Sequence, residues 1–286
     1  MYSALKKHDA GMLDILYFRD IMGIVMICPE IRIPAVFTIK AQGKVKSNMK
    51  ILLIRHGEPD YSIDSLTPKG WKEAELLADR LEREDIQDFY VSPLGRAQDT
   101  ARATLQRLGK TAEVLPWLCE FRGTLIDPDL GVRRHAWDLM PQYWTECPEL
   151  YDREQWPQNE VYKTGNSAEI FQETQAGLDA LLARYGYQRK GVMYHTENNS
   201  SATIALFCHF GISMAILSCL TGMSLIPLWH AFIMAPSSIT TMVTEERRKG
   251  EVFFRCVGLG DVSHLYASGE PVSLSGRFNE LYSDTL

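Results

Sequence analysis

This sequence has no long uninterrupted apolar run, no excess of positive charge, no closely spaced cysteine pair and no internal repeat or low-complexity tract. Each absence excludes something. The most apolar stretch near the start, residues 21–39, is broken by Pro29, Glu30, Arg32 and Pro34, whereas a membrane-crossing helix needs about 20 mostly apolar residues. The same region lacks the basic start and small-residue cleavage site of a secretory leader. No membrane partner is therefore expected, and the cytoplasm is the expected location. A formal net charge of −6 argues against general affinity for nucleic acid. Any anion site has to be a local basic pocket on an acidic protein. The six cysteines, Cys28, Cys119, Cys147, Cys208, Cys219 and Cys256, form no Cys-x-x-Cys pair, and no His-x-x-x-His pair is present. Zinc-ligand spacing is thus missing, and the thiols read as free, buried groups in a reducing compartment.

What is present is the make-up of a globular protein: 45% hydrophobic and 23% charged residues, over a length that suits one large domain or two small ones. The organising stretch is Ile51-Leu52-Leu53-Ile54-Arg55-His56-Gly57-Glu58. Four consecutive apolar residues read as a strand buried on both faces. An Arg and a His follow at the strand's end, where ligands bind in an open α/β sheet. Burying them is costly without a partner, and an anion would remove that cost. Met49-Lys50, immediately upstream, reads as a natural start. Residues 1–48 are accordingly expected to be an N-terminal extension, poorly ordered or a non-native start, with a genuine appendage of one short strand or helix as the alternative. Residues 49–286 form the main domain.

Downstream, strand and helix patterns alternate. Thr67-Pro68 opens a helix with Trp71, Ala74, Leu77, Ala78 and Leu81 on one face and charges on the other. Strands are expected at 88–91 and 111–115, and between them a helix with Ala97, Ala101, Leu105 and Leu108 in phase, stopped by Gly109. Ser167 caps a further helix whose inner face carries Phe171, Thr174, Leu178, Leu181, Leu182 and Tyr185. Residues 188–201 read as a surface loop. A strand at 203–208 and a helix at 212–220 follow, then two strands at 239–244 and 252–257 joined by a charged turn. Residues 122–165 lose the periodic pattern and hold Trp137, Tyr143, Trp144, Trp156 and Tyr162. An irregular segment of that length is usually a lid or binding insertion. Its rings suit either the rim of a small-molecule pocket or a satellite core. Strands alternating with helices argue for an α/β fold with a mixed, mostly parallel sheet of about six strands covered on both faces.

Three strand-to-loop junctions deliver Arg55-His56, Arg96 and His209, and a fourth delivers Glu120. In an open sheet such ends converge on one side, and guanidinium forks suit phosphate oxygens. Four separated segments carry a resemblance, in order: Leu53-Ile54-Arg55-His56-Gly57-Glu58, Ser92-Pro93-Leu94-Gly95-Arg96-Ala97-Gln98-Asp99-Thr100-Ala101, Leu118-Cys119-Glu120, and Cys208-His209-Phe210-Gly211. The chain resembles the histidine phosphatase superfamily in its phosphoglycerate-mutase-like branch, over roughly residues 49–265. The fourth segment departs from the usual Ser-His-Gly-Gly at Cys208 and Phe210, and Phe210 would narrow the pocket mouth or alter its loop.

The resemblance implies a three-layer α/β/α sandwich and a metal-independent reaction without a cofactor. His56 would be the nucleophile, transiently phosphorylated. Arg55, Arg96 and His209 would hold the phosphoryl oxygens, Glu120 would be the proton donor, and Ser62 falls where family members often place a phosphate-contacting residue. His135, His195, His230 and His264 lie outside the motifs and read as structural or surface groups. The glycolytic mutases carry a longer loop after Arg-His-Gly than Pro59 to Ser65 here. Hydrolysis of a small phosphorylated metabolite is therefore favoured over a phosphomutase activity, and over a non-catalytic phosphate sensor or interaction protein on the same fold. A homodimer is the base-rate oligomer.

Overall fold

The computed structural model describes residues 48–277. The expectations for residues 1–47 lie outside the described residues. One eight-stranded sheet organises the rest. In chain order its strands are β1 (Lys50–Arg55), β2 (Asp88–Val91), β3 (Ala112–Val114), β4 (Gln188–Lys190), β5 (Met193–His195), β6 (Thr203–Cys208), β7 (Ile239–Arg248) and β8 (Glu251–Asp261). Their order across the sheet is β3-β2-β6-β1-β7-β8-β5-β4. The first four of these run parallel to one another. From β1 outward to β4 every pairing is antiparallel. The mixed α/β architecture holds, but the sheet is wider and its antiparallel half larger than the sequence pattern implies. Part of the excess is the hairpin β4–β5, built from residues that read as a surface loop. Three-residue strands of mainly polar side chains give too little alternation to be legible.

Two cores explain the layering. Ile51 and Leu53 of β1 join Ile204, Leu206 and Cys208 of β6 in one apolar cluster. Leu52 and Ile54 join Ala205 and Phe207 in the other. Alternate side chains of a strand point to opposite faces, so an unbroken apolar run is what a strand between two helical layers requires. Each fully buried leucine or isoleucine here contributes about 1.5–3 kcal/mol. One face is covered by α1 (Pro68–Leu81) and α2 (Gly95–Leu108). The other is covered by α3 (Ser167–Ala183), α4 (Phe210–Thr221) and α5 (Leu225–Ala231). A short α6 (Ser263–Ala267) follows β8.

Local rules account for most helix boundaries. The Thr67 hydroxyl accepts from Gly70 N–H at 3.1 Å, a cap that stabilises by about 1 kcal/mol. Gly109 and Gly222 close α2 and α4 in the left-handed conformation, at φ 62° and 75°, where glycine carries no steric penalty. Ser167 departs from its expected role. It is the first residue of α3 rather than its cap, and its hydroxyl donates to Thr124 O at 3.1 Å. Two residues of α1 also depart. Trp71 is only half-buried, with the Arg102 guanidinium 5.1 Å from its ring centre. Glu73, one of the charges assigned to the outer face, is fully buried.

Much of the irregular segment packs into the core. Leu150, Trp156 and Tyr162 are buried in the larger core, with the Trp156 ring 5.4 Å from Tyr162 and 5.7 Å from Phe171 in edge-on contacts. Trp137 is only partly buried and meets Phe210 edge-on at 6.4 Å. The five described cysteines are free, but only Cys208 and Cys219 are buried. No helix among the described residues is long and apolar enough to cross a membrane.

Candidate active site

The carboxyl ends of the parallel strands supply the site. Arg55 pairs in register with Cys208, so the residues that follow, His56 and His209, emerge side by side. Their rings lie 5.2 Å apart. His56 N–H donates to Cys208 O at 3.0 Å, and Ser92 N–H donates to Phe207 O at 2.9 Å. The ends of β1, β6 and β2 are thereby stitched into one edge. Ser92 then meets His209, its Oγ 2.7 Å from Nε2. Sequence reasoning missed this contact; the available signal was that Ser92 directly follows the 88–91 strand and opens the quoted Ser-Pro-Leu segment.

The loop after β1 is clamped from two sides. Gly57 N–H donates to Thr100 Oγ1 at 2.9 Å, and that hydroxyl donates to Arg96 O at 2.7 Å. Glu58 N–H donates to Glu73 Oε2 at 2.7 Å. The backbones approach so closely that a Cβ on Gly70 would lie 2.1 Å from Glu58 O. Glycine is needed there for contact rather than for conformation.

His56 Nδ1 lies 2.8 Å from Gly57 O. A carbonyl can only accept, so Nδ1 carries the hydrogen and Nε2 keeps its lone pair. Burial pushes the His56 imidazole well below its ordinary pKa, and the nearby Arg55 and Arg96 push it further. His209 is depressed in the same way, by burial first and then by His56, Arg96, Arg55 and Arg122. Both rings are therefore neutral at pH 7. Burial also lowers Arg55, against the pull of Tyr61, Glu120 and Glu73, but a guanidinium stays charged.

The two arginines are held differently. Arg55 is buried and donates through Nη1 to Met234 O. Arg96 Nη1 pairs with Asp64 Oδ1 at 2.5 Å, and its guanidinium lies 5.4 Å from the Tyr61 ring centre. Arg55 Nε, Arg96 Nε and His209 Nδ1 are all buried without a hydrogen-bond partner. Three unpartnered nitrogens around one cluster suit an anion. Glu120 follows the turn Pro116–Leu118, and its Oε1 accepts from Phe121 N–H at 2.7 Å and Ile212 N–H at 3.1 Å. Burial raises its pKa, although those two N–H groups, Arg55 and Arg96 oppose the rise.

Arg55, His56, Arg96, Glu120 and His209 are thus brought into one electrostatically coupled group. Ser62 is not tied to it: the residue is exposed, and its hydroxyl donates to Asp60 Oδ1 at 2.5 Å. Phe210 heads α4 with its ring centre 6.0 Å from the Arg55 guanidinium. Cys208 is buried against Ser213 Oγ at 3.2 Å, and burial pushes its thiol up to about 12, so it stays protonated and unreactive. Of the four remaining described histidines, His230 and His264 bond Ile226 O and Ser237 Oγ, His195 bonds Glu197, and His135 stacks on Trp137 at 4.8 Å.

The C-terminal segment also reaches the site, which periodicity could not reveal. Lys69 and Lys72 pair with Glu270, and Ser273 Oγ donates to Glu58 Oε2 at 2.5 Å. Gly276 then passes Arg55 so closely that a Cβ would lie 2.5 Å from Nη2.

Comparison with known proteins bears on this arrangement. A family model described as the histidine phosphatase superfamily (branch 1) matches residues 51–256. A 2,3-bisphosphoglycerate-dependent phosphoglycerate mutase from Thermoplasma acidophilum is 41% identical over 73 residues, 22% of this chain and 36% of that protein. The match therefore spans only about a third of the mutase. Phosphoserine phosphatase 1 from Hydrogenobacter thermophilus is 26% identical over 216 residues, 70% of this chain and 89% of that protein. Among solved structures, a mycobacterial glucosyl-3-phosphoglycerate phosphatase superposes with a TM-score of 0.52 at 18% identity, covering 74% of this chain and 99% of the other. That likeness shows a common fold.

Proposed function

This chain therefore belongs to branch 1 of the histidine phosphatase superfamily, and from that premise we propose that it hydrolyses phosphomonoesters of small metabolites through a phosphohistidine on His56. The observation that carries the reading is the state of His56: neutral, fixed by Gly57 O with its Nε2 lone pair free, and flanked by two guanidinium groups. In the first step Nε2 forms a bond to phosphorus as the ester P–O bond breaks. Glu120 gives its proton to the departing alkoxide. Both backbone N–H bonds fall on Oε1, which leaves Oε2 to carry that proton. In the second step water attacks phosphorus and the P–N bond breaks. The Glu120 carboxylate takes the water's proton, and inorganic phosphate leaves.

Arg55, Arg96 and His209 stabilise the charge on the transferring group. In phosphoryl transfer generally, one such arginine can contribute about 10³–10⁵ in rate. Two guanidiniums supply positive charge that metal ions supply in other phosphoryl-transfer sites. The phosphatase among its relatives supports hydrolysis as the outcome. Hydrolysis of p-nitrophenyl phosphate with a chelator present tests the reading. Wild type is expected to turn over undiminished by chelation, and His56→Ala to lose at least about a thousandfold. Chelator-sensitive turnover, or turnover that survives in the variant, would contradict it.

A further inference from the structure

A recess of about 150 Å³ opens beside Glu120, lined by Trp117, Cys119, Glu120 and Arg122 on one segment and by Ile170 and Glu173 of α3 on another. Its size suits a fragment of a few heavy atoms rather than a drug-sized ligand. Two observations tie it to the reaction. Glu120, the proposed proton donor, is part of its wall. The positive charge of Arg122 also reaches His209, whose pKa it helps to lower.

Most arginines here pair with carboxylates, as Arg80, Arg107, Arg184 and Arg189 do. The hydrogen bond that Arg122 makes is to the Cys119 sulfur, at 3.2 Å. No described carboxylate forms an ion pair with it, and the Glu173 carboxylate has no hydrogen-bond or ion-pair partner among the described residues. One guanidinium and one carboxylate thus share a recess without meeting each other. The segment that bears Arg122 is fixed, because the Trp117 ring packs on Gly177 of α3, where a Cβ would lie 2.4 Å from it. A purely anionic guest would meet Glu173, and a purely cationic one would meet Arg122. A guest with both charges satisfies both groups.

Resting on the hydrolase reading above, we infer that this recess seats the leaving alcohol and selects a zwitterionic one: a hydroxyl-bearing amino acid whose carboxylate lies on Arg122 and whose ammonium lies on Glu173. The substrate class is then the free O-phosphoamino acid. The same residue inside a peptide has neither charge and is excluded.

Steady-state kinetics on the full chain test this with four substrates: O-phosphoserine, ethanolamine phosphate (no carboxylate), the phosphate ester of 3-hydroxypropanoate (no amine) and p-nitrophenyl phosphate. Wild type is expected to favour O-phosphoserine over each singly charged ester by about tenfold or more in kcat/KM, since each lost contact is a charge-assisted bond. Arg122→Met should abolish the preference over ethanolamine phosphate, and Glu173→Gln the preference over the amine-free ester. Both side chains are exposed, and circular dichroism verifies that the variants fold. If p-nitrophenyl phosphate is hydrolysed but the three esters are used equally, the inference fails while the hydrolase reading stands. It fails equally if the amine-free ester is preferred, or if the preference survives both substitutions. If none of the four is hydrolysed, the hydrolase reading itself falls.

Discussion

At His56 and Glu120, burial acts on two groups of opposite charge type. It depresses the imidazole and raises the carboxyl, because in each case the charged form loses its hydration. Both shifts run toward the pair that the proposed first step needs, a neutral nucleophile and a carboxyl that keeps its proton to higher pH. The consequence for pH dependence has a definite sign. Activity requires His56 deprotonated, so the acidic limb of kcat/KM should lie below the ordinary imidazole value of about 6.5. It also requires Glu120 protonated, so the basic limb should follow the raised carboxyl. Glu120→Gln should erase that basic limb and cost alkyl phosphates about 10²–10⁴ in rate. p-Nitrophenyl phosphate should lose less, because its leaving group needs no proton. An acidic limb near 6.5 in the wild type would contradict the account.

Between elements, Glu73 links α1 to the loop that carries His56. Its Oε2 accepts the Glu58 N–H, while its Oε1 has no hydrogen bond and lies 3.8 Å from Lys69 Nζ. Burial raises its pKa to about 7, more than Glu58 N–H and Lys69 can offset. The folded state therefore holds a proton that the unfolded chain releases near pH 4.5, so the contribution of Glu73 to stability falls as pH rises from there to about 7. Glu73→Gln keeps an acceptor oxygen without the ionisation. Its melting temperature should rise relative to wild type between pH 5 and 8, with activity retained. Glu73→Leu leaves the Glu58 N–H unpaired, a cost of about 1–3 kcal/mol, and should lower activity as the loop shifts.

Helix periodicity could not have found this residue. A glutamate among Lys72, Glu75 and Asp79 looks like one more surface charge, and only the proximity of Gly70 to Glu58 O reveals what lies over it. The legible features were those with a local physical cause: the four-residue apolar strand, the Thr67-Pro68 start and the Gly109 stop. The illegible ones depend on distant partners. Ser167 serves Thr124 O rather than its own helix, the polar hairpin at 188–195 exists by pairing with β8, and Gly276 meets Arg55 across most of the sequence. The five clustered site residues were legible because each sits at a strand or helix end with a distinctive neighbourhood. Arg122 carries no such signal.

Over the whole molecule, a width of buried neutral imidazole sets the acid behaviour. His56 and His209 lie well below their ordinary value, and burial lowers His230 and His264 to about 4. In the unfolded chain each takes up a proton near pH 6.5. Glu73 and Glu120 act in the opposite direction, but two raised carboxyls do not cancel four depressed imidazoles. Stability should therefore fall as pH drops below 6.5, by about 1.4 kcal/mol per pH unit for each net proton. The urea midpoint should be lower at pH 5 than at pH 7, and replacing both His230 and His264 by Gln should flatten that dependence.

The same eight-stranded frame aligns β1, β6 and β2 so that His56, His209 and Ser92 meet at one edge, and the central claim is that His56 there becomes phosphorylated. Mixing the protein rapidly with a phosphomonoester, quenching in base to preserve an acid-labile phosphoramidate, and mapping the label by mass spectrometry tests that claim most directly. The account predicts phosphate on the peptide bearing His56 in the wild type, and none there in His56→Ala. Turnover without any label on His56, or with phosphate on another residue, would contradict it.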